Sequence, residues 1–430
     1  MLSIASLPSE LLCMILEHAT DNPLRHDKYQ FISTFSTNGE NAREQQLDDA
    51  LKTKVALCRV SRAFKSVTDG FLYEDIRVRY GSEDLAARLE ASLDANGHNH
   101  HPCHAIGCRV RRVCIYPAED ENLAQMWAGT LSRNACHVLR CCPHIEALAR
   151  KNSAPLELPS PEFTELFTTD DLQLTSLRRV DWTNETYSAL TDSPRMNLPL
   201  PHFIWNLPAL EILSINGSSF PNLPPALSSL NVRTINLPVL HTIRLSSYNA
   251  IGMGMHYPRA QEVKFPALRR LIIGVQGAFY SAYEGCLSAH RSGVTILELG
   301  CDAGFLRLGT LRSLLRFYTN VEELRIPICT TAVDMQTFTV EEFPSVRRVL
   351  YSAAMPEADP DNEYLKENLW RQVKGHLEQF IGSNQKFVNV ESITLVGEAW
   401  IPIVCGEGFK ELADAIEKRG IKIVKKFFAQ

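Results

Sequence analysis

The 430-residue chain lacks several features that would place it in a functional class at once. No apolar run approaches the roughly 18 residues needed to cross a bilayer, so a membrane span is not expected. There is no basic excess: 44 Lys and Arg stand against 49 Asp and Glu, a formal net charge of -5. A nucleic-acid or membrane-surface binder normally carries the opposite balance. The N-terminus has no basic start, continuous apolar stretch or small-residue cleavage site, so a signal peptide is not expected. Its first Lys or Arg is Arg25, and Glu10 and Glu17 come earlier, which argues against a mitochondrial presequence. No Gly-x-Ser-x-Gly elbow, phosphate loop or dinucleotide fingerprint appears. The nearest glycine pair, Gly252 and Gly254, has no third glycine at the required spacing. The 12 cysteines are irregularly spread, with no paired CxxC, and read as small buried apolar residues. A cytoplasmic or nuclear protein is expected.

What the chain does have is one apolar spacing, used again and again. An apolar residue, two variable ones, an apolar residue, one variable and another apolar occur as Val110/Val113/Ile115, Leu177/Val180/Trp182, Leu210/Leu213/Ile215 and Leu240/Ile243/Leu245. The triplet continues as Leu268/Leu271/Ile273, Val294/Leu297/Leu299, Val321/Leu324/Ile326, Val346/Val349/Tyr351 and Val390/Ile393/Leu395. A weaker copy, Ile145/Leu148, carries Arg150 in its third place. Successive first positions are 25 to 35 residues apart up to Val346, and the last step is 44. Four copies follow an apolar-proline pair: Leu207-Pro208, Leu237-Pro238, Phe265-Pro266 and Phe343-Pro344. Proline there stops the preceding turn and predicts an extended approach to a strand. Helical stripes lie between copies, at Leu308, Leu311, Leu315 and Tyr318, and at Leu365, Leu369, Val373, Leu377 and Phe380.

This Leu-x-x-Leu-x-Leu core at such steps resembles a degenerate leucine-rich repeat. The resemblance implies an α/β solenoid over about residues 81–430, with a curved parallel sheet inside and helices or loops outside. Each unit would bury its apolar residues only against its neighbours.

The N-terminal part reads differently. Pro8, Ser9 and Glu10 mark a helix start, followed by a stripe of Leu11, Leu12, Ile15, Leu16 and Ala19. A second helix is expected over about 48–67, with Val55, Leu57, Val60, Phe64 and Val67 on its apolar face. Between them lies a polar insertion, Asp21 to Gln46, with turn signals at Asn22-Pro23 and Asn38-Gly39. The pieces Leu7-Pro8-Ser9-Glu10-Leu11-Leu12, Leu57-Cys58-Arg59-Val60-Ser61-Arg62-Ala63-Phe64 and Leu72-Tyr73 resemble an F-box of the fungal type, over about residues 1–80. That family has a short connection where this chain has the insertion, which loop-closure entropy tolerates at little cost. The resemblance implies docking to a Skp-type adaptor, and through it a cullin, by Leu7, Pro8, Leu11, Leu12, Ile15, Val60 and Phe64. The alternative is a helical cap that shields the first repeat of an interaction scaffold unrelated to ubiquitin.

Strand geometry places the residues between the core positions on the open, concave side of such a solenoid. That row includes Arg179, Asp181, Arg244, Arg270, Glu298, Glu323, Arg325 and Arg348, a mixture suited to holding an unknown protein target. His98, His100, His101, Cys103, His104 and Cys108 are zinc-ligand types, but the paired spacing of a structural site is missing. An exposed loop is the plainer reading, with a metal-dependent enzyme kept as a third possibility. Cys136, Cys141 and Cys142 are expected on or after a helix as core residues. Glu357, Asp359, Asp361 and Glu363 form an acidic group at a helix start. No residue set points to catalysis, no cofactor is implied, and an adaptor rather than an enzyme is expected.

Overall fold

Equal spacing in the sequence becomes equal position in the fold. The structure, a computed structural model, describes residues 8–20, 37–79, 82–97, 105–116, 133–151, 172–184, 203–204, 207–217, 235–246, 263–273, 288–299, 315–327, 343–352, 363–381, 387–397 and 400–427. The chain divides into two units, one including Glu40–Leu240 with the N-terminal segment, the other including His241–Gln430.

The first unit opens with helices α1 (Ser9–Ala19), α2 (Thr37–Cys58) and α3 (Arg62–Leu72). Strand β1 (Asp75–Val78) and helix α4 (Glu83–Gly97) follow, then β2 (Arg112–Ile115), β3 (Ala147–Arg150), β4 (Arg179–Asn184), β5 (Ile212–Gly217) and the two-residue β6 (Ile235–Asn236). Strands β1 to β5 pair in chain order, all parallel. The second unit holds β7 (Thr242–Ser246), the two-residue β8 (Val263–Lys264), β9 (Arg270–Ile273), β10 (Ile296–Leu299), β11 (Glu323–Pro327) and β12 (Arg348–Ser352). It ends with α5 (Glu363–Glu378), β13 (Ser392–Val396), α6 (Ile401–Val404), α7 (Glu407–Glu417) and β14 (Lys422–Lys426). Here β7 and β9 to β14 form a second in-order parallel ladder. The fold is an α/β repeat built on parallel strands.

The register explains the spacing. Val113, Leu148, Val180 and Leu213 align with Ile76 across the first ladder. Leu271, Leu297, Leu324, Val349 and Ile393 align in the second. All three places of every copy from Val110 to Leu395 are buried, Arg150 included. Each such apolar side chain contributes about 1.5–3 kcal/mol on burial. Arg150 is tolerated because its guanidinium donates to the Thr183 carbonyl and lies over the Trp182 ring, 5.7 Å from its centre.

Four expectations are corrected. The prolines after Leu207, Leu237, Phe265 and Phe343 sit inside a turn rather than in an extended approach. In each copy the N–H of the first core residue donates back to the carbonyl of the apolar residue three before it, as from Leu268 to Phe265 at 3.1 Å. Proline then occupies the second place of a β-turn, where its fixed φ is favourable. Next, the helix expected over 48–67 is two helices: the Ser61 hydroxyl accepts the Phe64 N–H at 3.2 Å and starts α3 anew. Third, the expected polar insertion is helical from Thr37 on, so Asn38-Gly39 lies in the first turn of α2. Finally, the parallel ladder begins at Asp75, within the first 80 residues. Its β1 carries an unrecognised copy of the triplet, Tyr73/Ile76/Val78.

Between strands, Leu315 and Tyr318 are buried as expected, and so are Val373, Leu377 and Phe380 on and after α5. Leu308 and Leu311 lie outside the described residues. Lysines 422, 425 and 426 on β14 are exposed, at the end of the second ladder, where charge discourages further strand pairing.

Candidate functional site

The N-terminal helices expose several large apolar side chains. On α1, Leu12 and Leu16 are buried, whereas Leu11, Met14 and Ile15 are 43%, 57% and 50% exposed. These three lie at helical spacing on one face. Val60, between α2 and α3, is 62% exposed. Eight large hydrophobic residues are exposed among the described residues, and five of them, Leu11, Met14, Ile15, Val55 and Val60, lie in this module. A single exposed leucine means little, whereas several on one helix face are unusual for a surface left to solvent.

Of the residues expected to touch an adaptor, Pro8, Leu11, Ile15 and Val60 are exposed and Phe64 is half-buried. Leu12 is corrected to a core residue, because its side chain lies on the buried face of α1. Leu7 lies outside the described residues. Met14 was missed, although it falls on the Leu11 and Ile15 face. Ala19 and Val55, expected on buried stripes, are exposed.

The row between the core positions is more closed than the open face expected from strand alternation. In the second unit Glu298 is fully buried, with Arg270 and Arg325 paired to the same carboxylate oxygen. Arg325 also binds Glu323 at 2.6 Å, and the Arg348 Nε lies 3.0 Å from the other Glu323 oxygen. Burial pushes the Glu323 carboxyl up, but Arg325 and Arg348 outweigh it and hold it below its usual range. Only Arg348 of these five is substantially exposed. Arg244 is half-buried, and Thr242 and Ile272 are buried. In the first unit Arg179 and Asp181 pair with each other at 2.7 Å, while Ile212 and Ser214 are buried.

The same face of β1 to β3 is covered by α2, which sequence reasoning did not foresee. Glu44 Oε1 accepts from Arg112 at 2.8 Å and from Lys151 at 2.9 Å, and Asp48 pairs with Arg77. Arg112 and Arg77 also face Asp75, at 3.3 and 3.7 Å. Burial works against ionisation of Glu44, but Arg112 and Lys151 outweigh it and its carboxyl is held low. Nearly two turns beyond Asp48 on α2, Lys54 is buried against Glu74 at 3.0 Å. The only sequence signal was the i, i+4 acidic pair of Glu44 and Asp48 with Leu47 between them.

No group of three or more His, Cys, Asp or Glu able to hold a metal occurs among the described residues. Of the His/Cys stretch only Cys108 is described; His98, His100, His101, Cys103 and His104 lie outside the described residues. Cys136, Cys141 and Cys142 are buried as expected, with burial pushing the Cys141 and Cys142 thiols up. In the acidic group, residues 357, 359 and 361 lie outside the described residues, while Glu363 begins α5. No described helix is long and apolar enough to cross a membrane.

No protein-family model matches the chain, and no curated protein matches it. A crystal structure of a protein from Bacteroides fragilis, solved as a structural genomics target, is similar with a TM-score of 0.32 at 9% identity. The match covers 90% of this chain and 83% of that one. A likeness that loose carries no argument about fold or function.

Proposed function

We propose that the chain is a substrate-recognition adaptor of a cullin-based ubiquitin ligase of the Skp/cullin/F-box type, with the repeat ladder holding a target protein. The observation that carries this reading is the exposed Leu11, Met14 and Ile15 face with exposed Val60, in segments that resemble an F-box. An apolar docking surface of this kind gains its affinity by burying those side chains against a partner. The chain would perform no covalent chemistry; it would place target lysines before a conjugating enzyme carried elsewhere in the assembly.

One observation favours a second reading, a repeat scaffold whose helices are a cap. Helix α2 is ion-paired to the ladder, as a shielding element would be. A pull-down of the purified chain with a recombinant Skp-type adaptor separates the two. The test variant is Leu11→Asp with Ile15→Asp, which puts charge on the exposed face and leaves buried Leu12 untouched. Binding by the intact chain, lost in the folded variant, is the expected result. An intact, folded chain that fails to bind the adaptor removes the ligase reading and leaves the cap.

A further inference from the structure

The face of β1 to β3 under α2 has the charge of a recognition surface. Its cations are Arg77, Arg112 and Lys151, already described, together with Arg79, which lies 4.8 Å from the centre of the Tyr116 ring. One carboxylate of the same face, Asp75, answers them. Glu44 and Asp48 supply two more negative charges from α2, so a positive excess remains even when the helix is seated. Between the charged positions the strands carry Cys114, Ala147 and Ala149, small side chains that let a backbone come close. The Arg77 Nε is buried and has no hydrogen-bond acceptor among the described residues.

The hold of α2 on this face is light in apolar terms. Of its side chains described, only Leu47 and Ala50 are buried hydrophobics, Val55 is exposed, and Lys54 is buried by way of its ion pair with Glu74. Ion pairs therefore do much of the seating, and ion pairs with partly exposed partners are salt-sensitive. Lys151 and Asp48 are such partners, each more than a third exposed.

We infer that this face is a docking surface for an acidic segment of the target, and that α2 occupies it as an internal mimic, with Glu44, Leu47 and Asp48 standing where the target's acidic and apolar residues would bind. Charge complementarity selects an acidic peptide over the other occupants. The inference rests on the reading of the ladder as a target-holding surface. Adaptor docking plays no part in its test, so either can fail while the other stands.

The probe is a fluorescent peptide with the sequence of residues 40–58, titrated into the full chain and followed by anisotropy. The wild-type chain competes with itself and should bind weakly. The Glu44→Gln, Asp48→Asn chain should bind roughly tenfold tighter, because the site is no longer occupied for most of the time. Adding Lys151→Glu should remove that gain, and a peptide carrying Gln and Asn at 44 and 48 should not bind. Equal affinity for the wild-type and opened chains overturns the inference. So does a matching gain for a single-stranded RNA of similar length, which would mark an unselective cationic face. Should the opened chain not fold, hydrogen exchange on the wild-type chain decides. Amides of residues 40–50 should exchange faster at high salt than at low salt, and no change there overturns the inference.

Discussion

The charged rows of the two ladders differ in where part of their neutralising charge comes from. In the second unit the answer lies within the sheet: Arg270, Glu298, Arg325, Glu323 and Arg348 pair from strand to strand. Such pairs use the close approach of directly opposite and diagonal neighbours on one face. In the first unit Asp75 meets Arg77 and Arg112 within the sheet, but those two arginines and Lys151 also reach Glu44 and Asp48 on a separate helix. A self-matched row has little charge left for a partner. A row matched by a separable segment regains its charge whenever that segment leaves. The same repeat thus yields one face matched from within and one matched in part by a helix.

Breaking the self-matched row should have the largest effect. Glu298→Ala removes the buried carboxylate shared by the part-buried Arg270 and Arg325, leaving Arg325 with Glu323, and loss of about 3 kcal/mol is expected from chemical denaturation. A loss below about 1 kcal/mol would mean that water or other groups take over the carboxylate's place, and the closed-face description would fail.

Acid should separate the units next. His376 on α5 is fully buried against Tyr351, their rings 5.3 Å apart, and neither ring nitrogen has a hydrogen-bond partner among the described residues. Burial lowers its pKa to about 4, from 6.5 in the unfolded chain. A depressed value means that the unfolded state takes up the proton first, so stability is full above pH 6.5 and is lost as pH falls towards 4. The loss reaches about 3 kcal/mol. The carboxyls of Glu44 and Glu323 are held below the ordinary 4.5, so their contributions persist until lower pH. Hydrogen exchange at pH 5 should therefore show weakening around α5 before α2. His376→Phe should suppress it, and equal weakening in both places would contradict this order.

The smallest effect sharpens the contrast between buried and exposed charge. Arg347 and Glu391 pair at 2.8 Å, but both are more than half exposed. Arg347→Ala should cost no more than about 0.5 kcal/mol in the same denaturation assay. A cost approaching that of Glu298→Ala would show that exposure does not govern these pairs.

The ladder was legible because its residues obey a local rule. Val113, Leu148 and Val180 share a register that follows from their spacing alone, and burial on both sides of the triplet leaves no other face for them. The missed copy at Tyr73, Ile76 and Val78 obeyed the same rule, but it overlapped a segment that also resembled the end of an F-box. The cap at Ser61 was not read, because the apolar stripe running past it favoured one long helix. The exposed apolar face of α1 was half legible: helical period puts Leu11 and Ile15 together, but it cannot say which side of α1 meets α3.

The sequence by itself determined the parallel ladder, its core positions and the helical character of the N-terminal module, because each depends on spacing along one strand or helix. Tertiary structure alone decided that Leu12 is core while Leu11 is surface, that Glu298 is buried between two arginines, and that Glu44 and Asp48 reach Arg112 and Arg77. Those outcomes depend on which elements meet, and the contacts join residues 27 to 68 positions apart. No local periodicity encodes a meeting at that distance.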